Sequence, residues 1–163
     1  MTNKSLSRKK NFTLIELLVV IGIIGILVGI LLPAISAALK EGKKTQAEAN
    51  CRLIAQAVDA YKNDYQELPG NSATPAEMTS GSAILSRLGG QTGRKKVYFE
   101  NTGSLTNPWD DNYWIAFDDD YDGTISFSGT YDGVSISATV PGSVAVFTVV
   151  PGSSATYVGS WGE

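Results

Sequence analysis

The sequence predicts an α+β protein in which a long N-terminal helix carries a small antiparallel β head. Three observations lead to this fold class: an apolar run from Leu17 to Leu32, an amphipathic pattern that follows it, and a C-terminal part rich in Gly, Ser, Thr, aromatic and β-branched residues. We divide the chain into a basic leader at 1–11, a transmembrane or assembly helix at 12–39, an amphipathic helix at 40–65 and a globular head at 66–163.

The apolar segment predicts a single-pass membrane helix. From Phe12 to Leu39 the only ionisable side chain is Glu16. At about 1.5 Å per residue the run is long enough to cross a hydrocarbon core of roughly 30 Å. Basic residues without acids precede it, which places the N-terminus in the cytoplasm and sends the remainder outward. A cleaved secretory signal is the alternative, disfavoured because the run is long and passes into a charged helix without a clear cleavage site.

Two features inside this helix predict how it packs. Gly22, Gly25 and Gly29 are three and four residues apart and form a small-residue stripe on which another helix could approach closely, although glycine is also common in membrane helices. Pro33 lacks a donor N–H and crowds the carbonyl four residues back. We expect Pro33 to kink the helix or to loosen it in a crowded assembly.

The amphipathic part predicts one packed helix face. Its apolar positions follow three and four spacing and are Ala47, Cys51, Ile54, Val58, Tyr61 and Tyr65. No strong stop signal precedes Leu68-Pro69-Gly70, so we expect one nearly continuous helix of more than fifty residues. The head then predicts a short helix within 76–88 and strands at 113–117, 124–127, 134–140 and 144–150, separated by Asp/Gly or Pro/Gly turns.

Composition excludes several function classes. The chain has no histidine and one cysteine, which removes Ser/His and Cys/His catalysis and an ordinary His/Cys zinc site. Cys51 cannot pair within the chain and is most simply a small buried residue, with an intermolecular disulfide as the alternative. The net charge is −3 although the leader contributes four positive charges, so the rest of the chain is more strongly negative. Such a body is a poor candidate for nucleic-acid binding.

The N-terminal residues carry a specific resemblance. Phe12-Thr13-Leu14-Ile15-Glu16, followed by Leu17 to Ile21, resembles the class III signal of type IV pilins and of the pseudopilins of type II secretion. The resemblance implies cleavage between Asn11 and Phe12 by a prepilin peptidase, and N-methylation of the new Phe12 amine. It also implies an assembly role for Glu16, Gly25 and Pro33. The chain departs from the family at Asn11, where glycine is usual.

Glu16 has a physical argument beside the resemblance. A carboxylate near the start of a membrane-length segment is costly, on the order of 3 kcal/mol at the bilayer centre, unless it has a partner. An amine at Phe12 on a neighbouring chain would neutralise that charge and would penalise any stagger that separates the two groups. The alternative is a Glu16 side chain that stays hydrated near the headgroups.

The acidic run Asp118-Asp119-Asp120-Tyr121-Asp122-Gly123 predicts a calcium site or a solvated turn. Asp118, Asp120 and Asp122 with the following glycine reproduce the opening of a D-x-D-x-D-G calcium loop, but Gly129 stands where the bidentate glutamate would be. The segment Asn107-Pro108-Trp109 before it is similar to the C-terminal part of major pseudopilins, where a loop that often binds calcium follows. Asp110-Asp111 replaces the more usual glycine-containing turn there.

These observations predict a non-enzymatic, pilin-like filament subunit, more specifically a pseudopilin of a type II secretion system that drives protein export. The resemblance implies other pilin-like subunits, a prepilin peptidase and an inner-membrane assembly platform as partners. It also implies a bacterial inner-membrane location, a periplasmic head and incorporation into a periplasmic or surface filament. The alternatives are a surface type IV pilin or minor pilin, a solitary membrane-anchored calcium or ligand-binding module, and a glycosidase-like enzyme with Asp118 and Asp120 as paired carboxylates.

Overall fold

The computed structural model describes residues 12–70, 72–91, 96–100, 105–152 and 156–161. The chain forms two compact units, residues 1–40 and residues 41–163. Its elements, in chain order, are α1 Leu14–Tyr65, β1 Ala76–Glu77, α2 Ala83–Leu88, β2 Trp114–Phe117, β3 Thr124–Tyr131, β4 Val134–Pro141, β5 Val144–Val149 and β6 Tyr157–Gly159. The α+β fold class is therefore confirmed.

Helix α1 has 52 residues, as the absence of a stop signal predicts. It continues through Pro33, so the expected interruption there does not break the helix in the single chain. Pro33 has no N–H to donate to the carbonyl of Gly29, which leaves the helix one bond short at this turn. Ser36 Oγ donates to the carbonyl of Leu32 at 2.9 Å one turn further on.

The second unit has three layers. A four-stranded antiparallel sheet of order β1-β2-β5-β6 lies between the second part of α1 and a separate β3–β4 hairpin. Alternate residues of each strand face opposite layers: Ile115 of β2 packs towards α1, whereas its neighbour Ala116 packs towards the hairpin. All six residues of β5 are buried, which explains why its sequence is apolar except at Thr148.

The face of α1 that the sequence predicts as packed is the buried one. Ala47, Cys51, Ile54, Val58 and Tyr61 are buried, Tyr65 is partly buried, and Ala57 joins them. The Cys51 thiol is fully buried, and its burial raises the pKa of that thiol well above the usual range. Cys51 therefore behaves as a small core residue, as expected.

The short helix predicted within 76–88 is confirmed, but the strand at the start of this range was not predicted. Ala76–Glu77 is a short strand paired with β2, and only Ala83–Leu88 is helical. Ser82 begins that helix, because its hydroxyl accepts a hydrogen bond from Leu85 N at 3.3 Å. The strands predicted at 113–117, 124–127, 134–140 and 144–150 all exist with shifted ends, and the three-residue β6 was not predicted.

One glycine is required by the packing of the second unit. A Cβ at Gly70 would lie 2.4 Å from Cε2 of Phe117, whose ring is buried. We expect Gly70→Ala to destabilise this unit by about 1–3 kcal/mol, because the ring has to move within a packed core. Denaturant unfolding of the full-length chain in detergent micelles, followed by tryptophan fluorescence, measures this, since all three tryptophans lie beyond residue 100.

Gly42→Ala is the matched control for that measurement. Gly42 lies in α1 and a Cβ there would meet nothing within 4 Å. Alanine at this position should leave the unfolding free energy unchanged or raise it by about 0.5–1 kcal/mol, because glycine is the poorer helix former. Equal stability of Gly70→Ala and Gly42→Ala would contradict the packing described here.

Candidate functional site

The start of α1 is fixed by a reciprocal pair of hydrogen bonds between Thr13 and Glu16. Glu16 Oε2 accepts from Thr13 N at 2.9 Å and from Thr13 Oγ1 at 2.8 Å, while Glu16 N donates to Thr13 Oγ1 at 3.3 Å. This is a capping box, in which the threonine and the acid three residues later satisfy donors that the first helical turn leaves unpaired. Glu16 therefore has a partner within its own chain.

Thr13 is a residue that our reading of the sequence overlooked. The signal was available, because Thr-x-x-Glu directly before an apolar run is the sequence pattern of a capping box. The interactions place the carboxylate of Glu16 over the N-terminus of the helix, at the backbone N–H of Thr13. Asn11, on the other side of the predicted cleavage point, lies outside the described residues.

The apolar part of α1 has an uncovered surface in the single chain. Side chains from Phe12 to Leu39 are exposed throughout, and this helix is long and apolar enough to cross a membrane by length and composition. A Cβ at Gly22, Gly25 or Gly29 would meet nothing within 4 Å. The predicted stripe is therefore open on the helix surface, and Pro33 lies four residues beyond it.

The acidic loop between β2 and β3 is closed by its own side chains. Asp118 is 4% exposed, and its two carboxylate oxygens accept from Asp122 N at 3.2 Å and from Gly123 N at 3.0 Å. Asp122 Oδ1 accepts from Thr124 N at 2.7 Å and from Thr124 Oγ1 at 2.8 Å. Gly123 has a φ of +85°, a conformation that glycine adopts without strain.

The loop brings together three of the four acids that the sequence run contains. One carboxylate oxygen from each of Asp118, Asp120 and Asp122 lies within 4.8 Å of the others. Calcium binds oxygen ligands at about 2.3–2.6 Å, so two ligands of one ion can be no more than about 5 Å apart. The three carboxylates therefore fit a single divalent cation, while Asp119 is outside the cluster.

Asp110 and Asp111 take no part in that cluster. They belong to a turn organised by Asn107, whose Oδ1 accepts from Trp109 N and from Asp111 N at 2.9 Å each. The Asn107 amide nitrogen donates to Thr148 Oγ1 at 2.7 Å, and Asn107 is buried. The Pro-Trp segment is thus anchored to β5 by its asparagine, a contact for which the sequence offers no local signal.

Comparison with known proteins agrees with this arrangement. Residues 7–32 match the family model described as the prokaryotic N-terminal methylation motif. The chain is 30% identical over 110 residues to the type II secretion system core protein G of Pseudomonas aeruginosa strain PAO1, a match that covers 65% of this chain and 72% of that protein. No solved structure matches. The chain therefore belongs to the type IV pilin and type II secretion pseudopilin family, as a membrane-anchored, pilin-like filament subunit.

Proposed function

We propose that this protein is a pseudopilin of a type II secretion system, held in the bacterial inner membrane and added to a growing filament through α1. The observation that carries this proposal is the exposed apolar first unit, because that unit also contains the matched methylation motif. The N-terminus would face the cytoplasm and the head the periplasm, as the basic leader favours. Its work would be mechanical, with no covalent change made to a substrate.

Helix packing supplies the assembly step in this proposal. The side chains of residues 12–39 are exposed and mostly apolar. This surface therefore requires lipid or other copies of the helix around it. Glycines at 22, 25 and 29 would let a neighbouring helix approach closely. The missing bond at Pro33 is where the helix could loosen when several copies pack together.

Processing at the start of α1 comes before assembly. Cleavage between Asn11 and Phe12 would remove the basic leader and create an amine four residues before Glu16. A prepilin peptidase would carry out the cleavage, and N-methylation of Phe12 would follow. The leader has to be removed because four basic side chains would otherwise remain beside the helix ends that pack together.

We expect the mature protein to begin with N-methylated Phe12. N-terminal sequencing and intact mass measurement of the protein from membranes would establish this. Asn11→Gly should be processed at least as fast as the wild-type chain, because glycine is usual at this position in the family. A native protein that retains residues 1–11 would contradict the proposal.

Glu16 would neutralise the new amine of a neighbouring copy. Both capping bonds use Oε2, which leaves Oε1 available to a second donor. In a low-dielectric surrounding, an amine and a carboxylate stabilise one another most when they are close, so the pair favours one stagger between neighbouring helices. Capping and assembly are therefore compatible roles of one side chain.

Glu16→Gln separates these two roles. Glutamine can replace glutamate in a capping box but carries no charge. We expect Glu16→Gln and Glu16→Ala to insert into the membrane normally and to lose most filament assembly, as measured by shearing or by electron microscopy. If each charge pair contributes about 1.4 kcal/mol to association, losing it would lower the association constant about tenfold.

Thr13→Val is the control for the capping contribution. It removes the hydroxyl that bonds to Glu16 and keeps the carboxylate. If assembly depends on the charge, Thr13→Val should assemble better than Glu16→Gln. Normal filaments from Glu16→Gln would mean that the carboxylate acts only as a helix cap.

Two related functions are distinguished by simple measurements. A surface type IV pilin or minor pilin would share the processing and the helix but would appear outside the cell, whereas similarity to a core secretion protein favours the secretion system. A solitary anchored binding module would show no oligomers in the membrane. Deletion of the gene should block protein export if the proposed function is correct.

A calcium ion in the acidic loop is a further part of the proposal. Asp118, Asp120 and Asp122 would hold it, since their oxygens converge at a spacing that suits one ion. The ion would neutralise these acids, which have no lysine or arginine near them in the sequence. Asp118 and Asp122 also accept backbone bonds of 2.7–3.2 Å in the loop, whereas Asp120 accepts only one, at 3.4 Å. Asp120 is therefore the acid whose change disturbs the turn least.

Asp120→Asn should therefore abolish stabilisation by calcium while leaving the fold intact. At a calcium concentration one hundred times the dissociation constant, the wild-type chain should gain about 2.7 kcal/mol in unfolding free energy. Asp119→Asn, the neighbouring exposed acid outside the cluster, should respond like the wild-type chain. If calcium and a chelator leave the unfolding curve of the wild-type chain unchanged, no such site exists.

A further inference from the structure

The β3–β4 hairpin forms a two-stranded sheet of its own, with eight residues in each strand. Asp132 and Gly133 connect the strands, and their φ values of 48° and 80° are those of the tight turn that suits a two-residue hairpin. The pairing runs without a bulge from Tyr131 and Val134 to Thr124 and Pro141. Such a hairpin has two long edges.

The pairing determines which backbone groups point outwards. In a two-residue hairpin the pair of residues beside the turn exchanges two backbone hydrogen bonds. The next pair exchanges none, and the two kinds of pair then alternate along the strands. The pairs without backbone hydrogen bonds have the shorter Cα–Cα distance, so their side chains lie closer together. In agreement, the hydroxyls of Ser126 and Thr139 are 3.0 Å apart and those of Thr130 and Ser135 are 3.4 Å apart. The outer edge of β4 therefore offers the N–H and C=O groups of Ser135, Ser137 and Thr139.

Another segment of the chain lies close to the edge of β3, whereas none of the described residues bonds to the edge of β4. Segment 73–75 lies beside β3, where Ala73, Thr74 and Pro75 share a cavity of about 160 Å³ with Ser126 and Ser128. Ser135, Ser137 and Thr139 are exposed, and no backbone bond to their outer groups exists within the described part of the chain. The edge of β4 is therefore the more accessible of the two.

This edge lacks the usual protection against strand pairing. Proteins protect sheet edges with short strands, charged residues, bulges or proline. The edge strands β1 and β6 of the four-stranded sheet have only two and three residues. Strand β4 has eight residues, no charged side chain and no bulge, and its proline stands at the far end. Ser135 to Thr139 form an unprotected stretch.

We propose that the edge of β4 binds the same edge of a second copy of this chain. The two β4 strands would run antiparallel about a two-fold axis at Ser137. Ser137 would face Ser137 of the partner subunit, and Ser135 would face the partner's Thr139. All three outward-pointing residues then lie in pairs that exchange both backbone bonds, giving roughly six N–H···O bonds.

Three features of this edge suit a second copy of the chain. From Thr124 to Gly162 the only charged side chain is Asp132, so two copies can approach without repulsion between like charges. Pro141 would lie opposite the partner's Gly133, so its missing N–H limits the pairing to the stretch between the turn and the proline. A two-fold contact is also closed and does not compete with head-to-tail growth of a filament.

Cysteine cross-linking tests the proposed pairing in the full-length chain in its membrane. The Cα atoms of Ser137 and its symmetry mate would be about 5.5 Å apart, within the range of a disulfide. Ser128 faces Ser137 across the hairpin and is equally exposed, but its symmetry mate would be three strand spacings, or roughly 14 Å, away. Mild oxidation should link Ser137→Cys into a dimer and leave Ser128→Cys unlinked.

Charge variants give an independent measurement in detergent solution. Ser137→Lys should weaken dimer formation about fivefold in sedimentation experiments, because like charges would lie directly opposite each other. Ser128→Lys adds the same charge on the same face and should have no effect. Filament assembly should be retained in both, so this test is separate from the proposed function.

Three outcomes would overturn the proposal: equal cross-linking of Ser137→Cys and Ser128→Cys, absence of cross-linked product, or linkage of Ser137→Cys to a different protein. Cys51 does not interfere, because its thiol is buried in all of these variants.

Discussion

The first half of α1 has an apolar surface that its own chain does not cover. Side chains from Phe12 to Leu39, which make up nearly all of the described part of the first unit, are exposed, so water is a poor solvent for this helix. The helix therefore needs lipid before assembly and other helices after it. Membrane storage and filament formation both meet this requirement, and in the proposed assembly the glycine stripe would let neighbouring helices approach closely.

The polar start of that helix has to satisfy a related constraint. Four backbone N–H groups at a helix N-terminus have no partner within the helix, and a charged side chain among apolar ones needs a counterpart. Thr13 and Glu16 form hydrogen bonds with each other, which satisfy two of these N–H groups and give the carboxylate a polar partner. In a single chain both hydrogen bonds to the carboxylate use Oε2, so in the proposed assembly an amine from a neighbour would bond to Oε1.

The parts of the structure that local patterns determine could be predicted from the sequence. Helical spacing located the buried face of α1, alternating runs located β3 and β4, and short apolar runs located β2 and β5. The short strands β1 and β6 have no such pattern and exist because they pair with β2 and β5. The predicted range 76–88 did contain the short helix, whose start at Ala83 is set by the Ser82 cap.

The same distinction applies to the candidate sites. The spacing of Asp118, Asp120 and Asp122 indicated their convergence, because three acids at alternate positions before a glycine turn towards one point. Asn107 gave no signal, since its bond to Thr148 joins residues that are distant in sequence. Thr13 did have a local signal, the Thr-x-x-Glu pattern of a capping box, but the prediction considered only the charge of Glu16.

The head combines a protected sheet with an unprotected hairpin. The four-stranded sheet is covered on both faces and has edge strands of two and three residues, so it offers little backbone for pairing. The hairpin covers one of these faces with Phe127, Tyr131 and Ile136, and its other face carries serine and threonine. Hydroxyl side chains keep that face soluble without charge. Because they add no repulsion, the backbone of β4 remains accessible to a strand of matching character, and solubility and strand pairing are compatible at the same edge.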